Sequence, residues 1–430
     1  MKQLFLLCLI TLCSNTLSAS NLSPNVGDSL ASETLQSFDP YAATDVYLNT
    51  LTDEQKAKSD AYFEGGYWLL LWGVLYSLAV AWVFLSKGLS LKLKELAQKI
   101  SKKTNLTNLI YIAFYMISGY VLSFPLTLYE EYFREHQYDL SNLTFGAWMT
   151  EELQGLLIST LLMALLFMVL YIAIRRVGKT WWIWGAGITF FFMVIMILIG
   201  PIFISPIFND YKFLEDGPIK ESILSMARAN DVPVENVYQF DASKQSTRIS
   251  ANVSGIANTI RISLNDNLLN RCNEAEIKAV MGHELGHYIL NHIYKMLVAF
   301  GLVTLVGFAF VNWGYQFVLK KWGANWGIND LQDVAGLPLV MVLFSVFFFL
   351  AKPVTNNIIR INEVEADNYG LNAAREPDGF ASTAMKLSEY RKIDPGYWEE
   401  IIFFDHPSGK NRVLMAMKWK AENLDTNSEK

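Results

Sequence analysis

Charge is scarce in this 430-residue chain: Asp, Glu, Lys and Arg make up 18% of it, against 52% apolar and 14% aromatic residues. So little polar surface cannot clothe a water-soluble globule of this length, and the composition is that of a membrane protein. Cysteine is scarcer still, with three residues, of which Cys8 and Cys13 stand in the first twenty. If a leader carrying those two is removed, Cys272 is alone and a disulfide framework is excluded. No internal repeat or low-complexity run stands out. The net charge of −6 argues against a nucleic-acid partner, and the lysine runs are short and flanked by apolar stretches. Histidine numbers only five.

Two of those five fall in Met281-Gly282-His283-Glu284-Leu285-Gly286-His287-Tyr288, an HExxH pattern. Accident produces it in roughly a few per thousand chains of this composition. At 100° per residue, His283 and His287 lie about 40° apart on one helical face, so both imidazoles reach a single tetrahedral zinc ion. Glu284 stands beside them, where a carboxylate can take a proton from water at the metal. Asn273 is placed to cap this helix, Glu276 completes a capping box, and Ile277, Val280 and Met281 begin an apolar stripe. His292, nine residues after His283, would lie about 180° round the same helix and reads as structural.

At the start, Met1-Lys2 and the apolar Leu4 to Cys13, followed by Ser18, Ala19 and Ser20, read as a secretory signal over residues 1–20, too short to span a bilayer. An uncleaved anchor is the alternative. A polar linker and a helical lead-in over Thr52 to Phe63 follow. Six spans are predicted at Gly66–Leu85, Leu109–Tyr129, Leu153–Ile174, Thr180–Phe208, Met296–Leu319 and Val334–Ala351. Tyr67, Trp68 and Trp72, like Trp181, Trp182 and Trp184, cluster at span ends and read as interfacial anchors. Lysines and arginines crowd the first, third and fifth loops between spans, whereas the second carries Glu130, Glu131, Glu135, Asp139, Glu151 and Glu152. The positive-inside bias puts the basic loops in the cytoplasm and the HExxH segment on the exported side. The predicted organisation is thus a signal (1–20), an N-terminal region with four transmembrane helices (21–208) and a metallopeptidase domain (209–430). A two-helix membrane hairpin (296–351) interrupts that domain. Within it a helix opens at Pro218 and runs to about Ala229, and short strands alternate over Val237–Phe240, Arg248–Val253 and Thr259–Leu264.

Catalytic zinc usually takes three protein ligands and leaves a fourth position open. The next acids on a helical pattern are Glu363, Glu365 and Asp367. Glu363 and Asp367 share a face, while Glu365 is about 200° from Glu363. A ligand with an orienting acid one turn later fits that spacing, and so does an ordinary solvated acidic helix. His406, before Pro407, is held extended, either to reach a substrate or as a turn residue.

His283-Glu284-Leu285-Gly286-His287 together with Glu363-Val364-Glu365-Ala366-Asp367 resembles the type I CAAX prenyl protease family of multi-spanning zinc metalloproteases. The segments Asn252–Ile256, Arg261–Leu269 and Asp405-His406-Pro407-Ser408 with Arg412 resemble it too, and the likeness runs from about residue 50 to 420. The resemblance implies a mainly α, integral-membrane fold, a ring of about six transmembrane helices around a chamber, with a small α+β zinc metalloprotease domain. It implies that His283, His287 and Glu363 bind one Zn(2+) per chain, that Glu284 is the general base and that Asp367 lies behind the ligands. It further implies that Asn252, Val253 and Ser254 bind substrate as an added edge strand, and that His406 and Arg412 approach the oxyanion. The expected activity is that of a metalloendopeptidase on membrane-associated or exported polypeptides. The expected location is a bacterial inner membrane, with the site on the periplasmic side. The alternatives are a heat-shock-type quality-control protease, with the same motifs but fewer spans, and a catalytically silent zinc-binding scaffold.

Overall fold

The structure is a computed structural model that describes residues 38–255 and 260–423. The expected signal and most of the polar linker lie outside the described residues. Among the described residues, five stretches are long and apolar enough to cross a bilayer: Asp53–Ser86, Thr104–Gln137, Phe145–Phe208, His292–Trp326 and Val334–Ala374. The third, at 64 residues, is about twice the length of a crossing. A turn at Gly178–Thr180 breaks it into two helices, Phe145–Val177 and Trp181–Ile199, which pack side by side. Gly178 takes the positive φ of 57° that this reversal uses.

We number the helices used below in chain order: α1 (Asp53–Ser86), α2 (Glu274–Ile289), α3 (His292–Trp326), α4 (Leu337–Ala374), α5 (Pro377–Leu387), α6 (Tyr397–Phe403) and α7 (Gly409–Asn423). The lead-in and first span are one continuous helix, α1, whose N-terminus is closed by a capping box between Thr52 and Gln55. Among the membrane helices, Tyr111, Tyr171, Phe308, Val311 and Tyr315 are buried together. A cavity of about 520 Å³ between these helices is lined in part by Ser77, Ser123, Glu152, Ser159 and Ser345. Trp184 is exposed, as an interfacial anchor should be, but Trp181 is not an anchor. It is buried and its indole Nε1 donates to Asn312 Oδ1 at 2.7 Å, because α3 packs over that end of the span.

The two ends of the bundle differ in charge. Lys94 in the first loop bonds both oxygens of Asp333 at 2.8 Å, and Arg175 in the third reaches Asn105 in the first. These basic loops therefore share one end. The acidic second loop sits against the sheet domain at the other, through Arg248 to Glu135 at 2.6 Å and Gln245 to Glu151 at 2.9 Å.

The domain's sheet has four strands, β1 (Tyr211–Phe213), β2 (Val237–Phe240), β3 (Ala251–Ser254) and β4 (Arg261–Asn265), in the order β1-β2-β4-β3. Strand β1 pairs antiparallel with β2, β2 parallel with β4, and β3 antiparallel with β4. Strand β3 is an edge. The predicted strand over 248–253 begins later, at Ala251, because Arg248 and Ser250 are engaged by the Asn265 and Asn267 side chains instead of a strand partner. Helix α2 lays Ile277, Met281 and Leu285 into a core with Val237, Ile262, Leu264 and Leu268. Each such side chain contributes roughly 1.5–3 kcal/mol on burial. Burying that stripe turns His283 and His287 away from the sheet, toward α4.

Candidate active site

The start of α2 is set by its own sequence. Asn273 Oδ1 accepts from the Glu276 N–H at 3.0 Å, and Glu276 Oε2 accepts from the Asn273 N–H at 2.8 Å. This is the predicted capping box. Glu276 is also tied to Lys386 at 2.6 Å and to Ser382 on α5. Helix α2 then crosses α4 at very short range. A Cβ added at Gly282 would come 2.9 Å from the Gly370 carbonyl, and one at Gly286 would come 3.1 Å from Ala366 Cα. Only small residues on both helices allow this approach, and it carries Glu363 and Asp367 under the two histidines.

Three donor groups converge there, His283, His287 and Glu363, with atoms all within 4.8 Å of one another. The two Nε2 atoms lie 3.1 Å apart, and Glu363 Oε2 and Oε1 lie 3.2 Å and 3.5 Å from His283 and His287. A tetrahedral zinc ion with bonds near 2.0–2.1 Å spaces its donors about 3.3 Å apart, so these residues fit one. Glu363 Oε2 is moreover buried without a hydrogen-bond partner, as a carboxylate oxygen reserved for a cation would be. The surroundings call for positive charge as well. Burial disfavours a charged His283, yet the neighbouring carboxylates of Asp367 and Glu363 outweigh it and push its pKa up to about 10.

Both histidines are held from behind. His283 Nδ1 is 2.7 Å from Asp367 Oδ1, and Arg412 grips Asp367 with two bonds, Nε to Oδ2 at 2.9 Å and Nη2 to Oδ1 at 2.6 Å. Arg412 is buried, and although burial works against its charge, Asp367 raises its pKa. Its guanidinium thus meets Asp367, a partner not foreseen from sequence. His287 Nδ1 is 2.9 Å from His292 Nδ1, whose Nε2 lies 3.1 Å from Glu365. His292 stays outside the donor group, but not because it lies 180° round the same helix. The helix ends at Ile289, Asn291 takes φ of 57°, and α3 starts with His292 folded back on His287. Glu365 faces His292 and Lys295, away from the donor atoms.

Glu284 is no part of that donor group, and burial raises its pKa above the ordinary carboxylate range. A cavity of about 180 Å³ opens beside it, lined by Ile249, Val280, Phe380 and Leu387 with His406 and Arg412. His406 Nε2 is 3.2 Å from Glu363 Oε2 and its Nδ1 is 2.8 Å from Asp405. Burial, with Arg391 nearby, lowers the imidazole's pKa, and the hydrogen bond to Asp405 pulls the other way. Asn252, Val253 and Ser254 lie on β3, which packs along α2.

Two family descriptions match this chain in succession. Residues 41–210 match "CAAX prenyl protease N-terminal, five membrane helices" and residues 214–420 match peptidase family M48. CAAX prenyl protease 1 of Saccharomyces cerevisiae is 30% identical over 415 residues, covering 88% of each chain. The chain belongs to the CAAX prenyl protease family. It is an M48 peptidase, a membrane metalloendopeptidase with the helical fold and small α+β domain expected. The rice homologue of CAAX prenyl protease 1 is 27% identical over 341 residues, or 78% of each chain. The metalloprotease YhfN of Bacillus subtilis is 31% identical over 283, covering 65% of this chain and 66% of that one. In fold, the crystal structure of S. mikatae Ste24p is similar, with a TM-score of 0.73 at 21% identity, covering 88% of this chain and 95% of that one.

Proposed function

We propose that the protein hydrolyses peptide bonds of membrane-associated or exported polypeptides on the exported side of the membrane, and that His283, His287 and Glu363 would hold one zinc ion per chain. The single observation that carries this reading is the convergence of His283, His287 and Glu363, whose donor atoms all lie within 4.8 Å of one another, with Glu284 directly after His283 in the chain. A bound zinc ion supplies the positive charge that polarises the scissile carbonyl and acidifies water. Glu284 accepts the proton of the attacking water and delivers it to the departing amine, so the carboxylate is regenerated each cycle. Asp367, fixed by Arg412, keeps His283 in the orientation a ligand needs. The free edge of β3 accepts the substrate backbone as a further strand through Asn252, Val253 and Ser254. His406 donates to the developing oxyanion, Arg412 supports the same charge from behind, and the 180 Å³ cavity takes one apolar side chain next to the scissile bond.

The sidedness is supported by the charge of the loops. The basic first and third loops lie at one end and the acidic second loop at the zinc-domain end, so the positive-inside bias turns the site outward, toward a periplasm if the membrane is a bacterial inner one. The names of the relatives favour a second reading, cleavage of prenylated C-termini, which requires a cytoplasmic site. Comparison of the protein N-termini in cells carrying wild type or Glu284→Gln tests the proposal. New N-termini confined to membrane and exported proteins, absent from the variant, are expected. Identical sets of termini would contradict it.

A further inference from the structure

The segment leading into His406 is a seven-residue helix, α6, whose outer surface is aromatic. Tyr397 is 72% exposed and Trp398 70%, and Ile402, one turn beyond Trp398, is exposed on the same face. Its two acids do not share that face with them. Glu399 accepts from Tyr67 at 2.9 Å and pairs with Lys392 at 3.0 Å, while Glu400 accepts from the Ser408 N–H at 2.8 Å and from Asn411 at 2.9 Å. An uncharged aromatic surface with its carboxylates tied down is costly in water. It suits the headgroup boundary of a bilayer, where Tyr and Trp concentrate.

The depth of α6 agrees. Phe403 stacks on Tyr67 with ring centroids 3.9 Å apart, and Tyr67 directly precedes Trp68, which with Trp72 is exposed where α1 becomes apolar. Helix α6 is thus level with the aromatic belt of the first span and continuous with it. The same C-terminal end is fastened to the helix that carries Glu363. Asn356 and Asn357 donate to the Ile402 and Ile401 carbonyls at 2.9 Å each, and Arg360 donates to the Phe404 carbonyl at 2.7 Å. These bonds satisfy the carbonyls left open at the end of a short helix. Arg360 also stands one turn before Glu363, and His406 follows Phe404 by two residues.

We propose that α6 lies in the membrane–water interface, and that lipid contact through Tyr397 and Trp398, relayed by Arg360, positions His406 beside Glu363. Tyr397, Trp398 and Arg360 are positioning residues. The second half of this statement rests on the reading of His406 as part of the active site; the first half does not.

The test places a nitroxide label at Trp398→Cys, with Cys8, Cys13 and Cys272 replaced by serine, in nanodiscs of phosphatidylethanolamine and phosphatidylglycerol. Labels at Trp72→Cys and Asp216→Cys serve as membrane and water references. The label at 398 is expected to collide with oxygen in preference to a water-soluble nickel chelate, as at 72. Chelate access equal to that at 216 overturns the proposal and makes α6 a water-facing wall. Independently, Trp398→Asp should keep its zinc but lose about tenfold in kcat with little change in KM, and Trp398→Phe should restore turnover. Wild-type turnover in Trp398→Asp would overturn the link to His406, whatever the label reports.

Discussion

A methyl group at Gly370 would come 2.7 Å from the backbone nitrogen of His283, closer than any real side chain tolerates. The helix that carries His283 and His287 and the helix that carries Glu363 are therefore in backbone contact, and the spacing of the three donor groups depends on it. Gly370→Ala should push the helices apart, cost about 1–3 kcal/mol of stability and lower zinc affinity. Gly119→Ala, in the second span with no neighbour near its added Cβ, is the control and should bind zinc normally. Zinc titration and thermal unfolding of the two variants check this.

Glu363 and Glu365 are two residues apart on one helix and do different work. Glu363 reaches both histidines, while Glu365 pairs with His292 and Lys295. Glu363→Ala should release zinc, and Glu365→Ala should retain it with at most a modest loss of affinity. The opposite pattern of metal content would assign the wrong carboxylate.

Glu276 ties the N-terminus of α2 to α5, and this gives a pH dependence with a definite sign. Burial raises its pKa, but the bonds from Lys386, Ser382 and the Asn273 N–H outweigh that and hold it below the ordinary carboxylate range. A depressed pKa contributes stability that is present above the unfolded value, roughly 4.3, and is lost as pH falls through the folded value. Glu276→Gln should therefore unfold at lower temperature than wild type at pH 7, by about 1–2 kcal/mol, and the gap should narrow toward pH 3.

Sidedness is testable with alkaline phosphatase fusions. A fusion after residue 230 should be active, and one after residue 325 inactive. The reverse would place the site in the cytoplasm and favour processing of prenylated C-termini.

What was legible in the sequence was local. The capping box at Asn273 and Glu276, the helix from Pro218 to Ala229 and the strand Val237–Phe240 depend on neighbours within a few residues, and each appears as read. Helical angles separated Glu363 from Glu365, but an ordinary solvated acidic helix fitted the same spacing, and it was the resemblance that joined Glu363 to the two histidines. What was not legible lies between distant segments. Nothing near Gly282 or Gly370 announces that they meet, although small residues four apart in the first motif were the available sign. Asn291 breaks the helix with no glycine or proline to mark it, so the angle assigned to His292 failed. Strand β1 is three residues long, too short for alternation to register. Arg412 meets Asp367 across 45 residues of chain, a pairing no spacing rule reveals.

The central claim is that Glu284 does chemistry at a metal it does not hold. Glu284→Gln keeps the shape of the side chain and removes its basic lone pair. Metal analysis of the purified variant should give the same zinc content as wild type, one ion per chain. Cleavage of a substrate found in the N-terminus comparison should fall by about 100-fold or more. Undiminished turnover, or loss of zinc with turnover, would contradict the account.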